Sequence, residues 1–128
     1  MLFRSVTPDD LDRHRPVNYF SARTGRIYPF EFEVDGALIR KPVNGIFAVN
    51  EGQVYVMSAI DGLGMIQVPR FMVAKAIQAG TLREILGDYP CPSVPLSLLY
   101  PHRRPSMCVR VFSEWVHELA QNNPDLTG

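Results

Sequence analysis

The stretch FAVNEGQVYVMSAIDGLGMIQVP, Phe47 to Pro69, decides how this chain is read. With Ile46 in front of it, IFAV is an apolar run without alternation, the pattern of a strand buried on both faces, and MIQVP repeats that pattern. A helix lying between two such strands is the right-handed crossover unit of a parallel sheet. Asn50 stands where the helix starts, so its side chain is placed to accept from the Gln53 N–H as an N-cap. Gly62-Leu63-Gly64 follows a helix and does not precede one. It therefore reads as a C-cap and turn and not as a dinucleotide fingerprint.

Outward from this unit, FEFEV alternates apolar and charged residues, and Asp35-Gly36 turns it into ALIRKPV, a β-hairpin with one face in water. Before it, TPDDLDRHRP predicts a short helix with Thr7 as cap, Pro8 at its first position and two aspartates where the dipole favours them. VNYF then predicts a brief strand, and SARTGRIYP a loop tip. After the unit, RFMVAKAIQAG predicts a second helix closing on Gly80. It is followed by the short apolar segment TLREIL, a proline-rich loop and another buried strand, LSLLY. A last helix is expected from Ser106 to about Gln121, because Cys108, Val111, Phe112, Trp115, Val116 and Leu119 recur at three- and four-residue steps. That apolar stripe needs another surface to lie on. It therefore predicts that the chain associates with itself, with the helix folding back on its own subdomain as the competing outcome.

Composition bounds the function. The 128 residues suit one domain, with 46% apolar and 20% charged residues, an ordinary globular composition. Thirteen basic residues balance thirteen acidic ones, so no overall field draws the chain to nucleic acid or an anionic bilayer. The sequence has neither an export signal at its N-terminus nor an apolar run that could span a membrane, and a cytoplasmic location is expected. Cys91 and Cys108 stand far apart without histidines at ligand spacing, so reduced thiols are expected, and neither a metal nor a cofactor.

Taken together, these segments resemble the effector-binding, or substrate-binding, domain of LysR-type transcriptional regulators. The resemblance rests on VNEG, AIDGLGMIQVP, IQAGTLREIL, and LLYPHRR before an S-x-x-V-R-x-F helix, and runs from about Thr7 to Leu119. It implies an α/β fold: half of a periplasmic-binding-protein-like effector domain of two subdomains, with a mixed sheet and flanking helices. Residues 7–99 would be the second subdomain. Residues 100–121 would be the end of the returning strand and the C-terminal helix. The implied role is sensing a small-molecule inducer, with self-association, and DNA reached only through a helix-turn-helix that this sequence does not contain.

A helix N-terminus at the carboxyl end of a parallel strand presents unpaired N–H groups and suits an anion, so an anionic inducer is expected. On the resemblance, Asn50 and Glu51 lie on the cleft wall, Gly52 admits close approach to the backbone, Pro69 and Phe71 supply apolar walls, and Tyr100 stands at the hinge. Capping is the other role open to Asn50 and Glu51, and the negative charge of Glu51 opposes an anion. Arg103 and Arg104 could touch phosphate, though a solvated loop explains them as well. An enzyme is not expected, since no G-x-S-x-G occurs and Glu31 and Glu33 fit the wet side of a hairpin. The alternative to a sensor is a truncated regulator that serves only as a dimerisation module.

Overall fold

The extended segment from Arg15 to Ser21 is the axis of the molecule's larger unit, and its backbone groups are taken on both sides. Even-numbered residues face one neighbour: Asn18 N–H donates to Phe47 and Phe20 N–H to Val49, at 3.2 and 2.9 Å. This makes β1 (Asn18–Tyr19) and β4 (Ala48–Val49) a parallel pair. Odd-numbered residues face the other side: Val17 N–H donates to Met65, Met65 N–H to Arg15, and the return from Arg26 to Tyr28 pairs with Ser21 and Tyr19. Pro16 and Met65 form a parallel bridge. The order across this small sheet is therefore β4, β1, Met65.

The computed structural model describes residues 7–101 and 104–127. The chain divides into two units, residues 1–92 and 93–128. In the first, Pro8–Arg13 forms a single 3₁₀ helix, η1. The Asp10 carboxylate accepts from the Thr7 N–H at 3.1 Å, which ties down its start. The hairpin joins β2 (Phe30–Val34) to β3 (Ala37–Lys41). Asp35 and Gly36, with φ of 51° and 76°, give the two left-handed residues that a two-residue turn needs. Phe30 and Phe32, each 5% exposed, point to one side and join Leu11 and Val43 in the core, with Met65, Leu86 and Tyr89 packed against them. A phenylalanine buried so fully contributes about 1.5–3 kcal/mol.

The helix of the opening stretch is α1 (Gly52–Ile60), and α2 (Arg70–Gln78) follows it. Both end alike. Gly62 and Gly80 take φ of 75° and 74°. Their N–H groups return to Ala59 and Ile77, and those of Leu63 and Thr81 to Ser58 and Ala76, so each helix closes in a Schellman motif. Gly64 has a different purpose. A β-carbon there would stand 2.3 Å from the Arg15 carbonyl oxygen, so the bridge to the central segment forms only with glycine.

Several expected strands are not realised as such. IFAV pairs only through Ala48 and Val49 and is not buried on both faces: Ile46 is 81% exposed. MIQVP contributes one bridge, at Met65. LSLLY forms no strand, and its Leu96, Leu98 and Leu99 are exposed. An apolar run shows that a segment gains by burial, but a strand also needs a neighbour's backbone, and none of the described residues provides one there.

In the second unit the described residues 93–101 and 104–106 are irregular, and α3 (Met107–Gln121) and the short α4 (Pro124–Thr127) follow. Ser106 caps α3, its Oγ accepting from the Val109 N–H. The apolar stripe is present as expected. Its Cys108, Val111, Phe112 and Trp115, with Met107, line a shallow groove of about 400 Å³, yet α3 has no buried residue, and the rings of Phe112 and Trp115 meet at 5.7 Å with a tilt of 45°.

Candidate functional site

The start of α1 differs from the sequence expectation in one respect. Glu51, not Asn50, is the N-cap: its extended backbone ends β4's run, and its carboxylate accepts from the N–H groups of Gln53 at 3.0 Å and Val54 at 2.8 Å. Those bonds, first from Gln53 and then from Val54, pull its pKa below the ordinary glutamate value against a smaller opposing effect of desolvation. Glutamate has the longer side chain, and from position 51 it can fold back over two donors at once. Two of the first-turn donors at the positive end of α1 are thus already satisfied by a carboxylate of the chain itself.

Asn50 is held through its backbone. Its carbonyl accepts from the Tyr19 hydroxyl at 3.0 Å. The Tyr19 ring packs at 5.1 Å from Tyr55 and 6.2 Å from Tyr28. Tyr55, on the buried face of α1, accepts through its hydroxyl from the Gln67 N–H at 3.2 Å, and burial pushes its pKa up. The tyrosine pair therefore connects the end of β4 to the segment that leads into α2.

That segment brings Pro69 and Phe71 to the same end of the unit. Gly52 and Met72 are in contact, since a β-carbon on Gly52 would lie 2.9 Å from the Met72 methyl group. Gly52 therefore serves close packing of the two helix starts, where a larger residue would need the flexible Met72 to move. Pro69 is the N-cap of α2 and makes no side-chain capping bond, and Phe71 is exposed. The N–H groups of Arg70 and Phe71 take no acceptor among the described residues, whereas Arg70 pairs with Glu84 at 3.2 Å through its side chain. Five of the six expected residues, Asn50, Glu51, Gly52, Pro69 and Phe71, thus lie around two adjacent helix starts. Tyr100 belongs to the irregular segment of the second unit and is exposed. Arg103 and His102 lie outside the described residues.

Sequence reasoning missed Gln67. Its carboxamide grips the backbone of Glu31, accepting from its N–H and donating to its carbonyl at 2.8 Å each, and also donates to Cys91 Sγ at 3.1 Å. A glutamine between apolar residues in MIQVP was the available signal. Burial raises the pKa of Cys91, opposed by the bond from Gln67, so this thiol is poorly activated. Among the described residues no group of three or more His, Cys, Asp or Glu could hold a metal, and no helix is long and apolar enough to cross a membrane.

The model of the LysR substrate binding domain matches residues 3–121. The chain belongs to this family. It is 39% identical to the HTH-type transcriptional regulator YhjC of Escherichia coli over 114 residues, 86% of this chain and 37% of that protein. An HTH-type transcriptional repressor of Pseudomonas aeruginosa is 30% identical over 123 residues, 94% of this chain and 38% of its own length. An HTH-type regulator of Haemophilus influenzae is 29% identical over 107 residues, 77% of this chain and 33% of its own. The LysR substrate-binding chain therefore spans about a third of the length of these relatives, which are transcriptional regulators and not enzymes. Its α/β architecture is that of the LysR substrate-binding fold, periplasmic-binding-protein-like.

Proposed function

We propose that this chain is the inducer-sensing part of a LysR-type transcriptional regulator and works in the cytoplasm. In this reading residues 7–99 act as the second effector subdomain, and residues 100–121 return toward the first. The observation that carries the reading is the pairing of two helix starts, α1 and α2, at the ends of parallel segments, with Asn50, Pro69 and Phe71 exposed around them. DNA is contacted by the helix-turn-helix region of the longer regulator. The bare apolar face of α3 supports self-association of the regulator.

Glu51 refines the expected ligand. An acidic group on the inducer finds its donors at α2, where the N–H groups of Arg70 and Phe71 are open, because Glu51 serves α1. On the family resemblance, Tyr100 is the proposed hinge residue of the complete effector domain.

The test is an inducer dose response in the complete regulator, with small carboxylic acids screened first by thermal shift. Asn50→Ala and Phe71→Ala should each weaken the response about tenfold, with operator binding and melting temperature within error of the parent. A dose response unchanged in both variants would remove this end of the unit from the inducer site.

A further inference from the structure

The hairpin has two edges, and the chain treats them differently. Because its turn has two residues, Val34 and Ala37 form a hydrogen-bonded pair, and the ladder turns the N–H and C=O groups of Glu31, Glu33, Leu38 and Arg40 outward. On β2 three of these four groups are covered: the Gln67 carboxamide takes both groups of Glu31, and Glu33 N–H donates to Pro90 at 2.8 Å. On β3 nothing equivalent occurs. No backbone hydrogen bond among the described residues reaches Leu38 or Arg40 from outside, and Ala37 to Arg40 are all exposed.

Open edges are commonly guarded by lysine, arginine or proline. Here the two cations are engaged within the chain. Arg40 pairs with Glu31 at 2.8 Å, and Lys41 bridges Asp9 and Asp12 at 3.1 Å each. Pro42 lacks an N–H and ends the edge at the next outward position, which leaves a short window from Leu38 to Arg40.

We infer that this window pairs antiparallel with the same window of a second copy of the chain, placing Ile39 opposite its own counterpart across a two-fold axis. The outward groups of Leu38 then meet those of the partner's Arg40. The cross-strand row on one face runs Glu33, Leu38, the partner's Arg40, the partner's Glu31, so no like charges are adjacent, and Lys41 stands opposite Ala37. On the other face Ile39, 42% exposed in the single chain, covers its counterpart. Other registers are worse. A shift one way sets Arg40 against Arg40 and Pro42 against Leu38, and a shift the other way sets Arg40 against the turn at Gly36. The contact lies wholly within residues 1–92 and depends neither on the inducer reading nor on α3.

Disulfide trapping tests the register. In the full chain with Cys91→Ser and Cys108→Ser, a single cysteine is placed at position 38, 39 or 40 and the chain is mildly oxidised. Ile39→Cys should cross-link at least about tenfold faster than Leu38→Cys or Arg40→Cys, because directly opposed non-hydrogen-bonded positions bring β-carbons within disulfide reach. If circular dichroism shows that Ile39→Cys does not fold, a mixture of the Leu38→Cys and Arg40→Cys chains reads the same register by forming the mixed dimer faster than either homodimer. Equal rates at all three positions, as association through α3 alone would give, overturn the proposal, as does a faster homodimer at position 38 or 40.

Discussion

The Glu51 carboxylate accepts the Val54 N–H at 2.8 Å, so α1 carries its counter-charge within its own first turn. Removing that charge should loosen the helix start without touching the core. Glu51→Ala is expected to lower the melting temperature by a few degrees, and Glu51→Gln by less, since the amide oxygen still accepts one bond. The pH dependence has a definite sign. The folded pKa lies below the unfolded value of about 4.5, so the stabilisation is complete above that value and is lost as pH falls through the folded pKa. Melting curves from pH 7 to 3 should therefore converge for parent and Glu51→Gln at the acid end. Curves that stay parallel throughout would show that the charge contributes nothing.

Phe32→Ala should destabilise the first unit by about 3–5 kcal/mol in urea denaturation, the usual cost of emptying a buried aromatic site. A loss below about 1 kcal/mol would mean that the core around Leu11 and Val43 closes over the gap.

Gly64→Ala and Gly36→Ala separate two uses of glycine. At Gly64 the new methyl meets the Arg15 carbonyl, backbone that cannot step aside, and a loss of roughly 1–3 kcal/mol or more is expected. At Gly36 there is open space, and only the left-handed backbone opposes the change, at about 1–2 kcal/mol. If Gly36→Ala proves the costlier, the bridge between Pro16 and Met65 is not a constraint on the fold.

Gln67→Leu keeps the volume but releases both backbone groups of Glu31. A loss of about 1–3 kcal/mol is expected, with faster hydrogen exchange at the Glu31 amide. Unchanged exchange at that amide would show that water replaces the carboxamide without cost.

The parts of the fold visible in the sequence are those that local chemistry decides. Asp35-Gly36 requires a turn, Gly62 and Gly80 end helices, and the alternation of FEFEV places Phe30 and Phe32 together whatever surrounds them. The apolar runs IFAV and LSLLY were less informative, because whether such a run pairs depends on which backbone comes beside it, a matter settled many residues away. The same distinction runs through the candidate site. The place of the helix start could be read, but the choice of cap between Asn50 and Glu51 depended on reach, and both residues are common at helix starts. Gln67 was hidden for another reason: its partner Glu31 lies 36 positions earlier, beyond any local pattern.

The amide of Gln67 occupies Glu31 as a neighbouring strand's peptide group would, and thereby decides how far sheet growth can proceed. A hairpin open on both sides could add strand after strand and run on into a fibre. One that is sealed on β2 and open on β3 has a single valence. Two such hairpins that meet leave no free edge between them, so assembly through this surface stops at two.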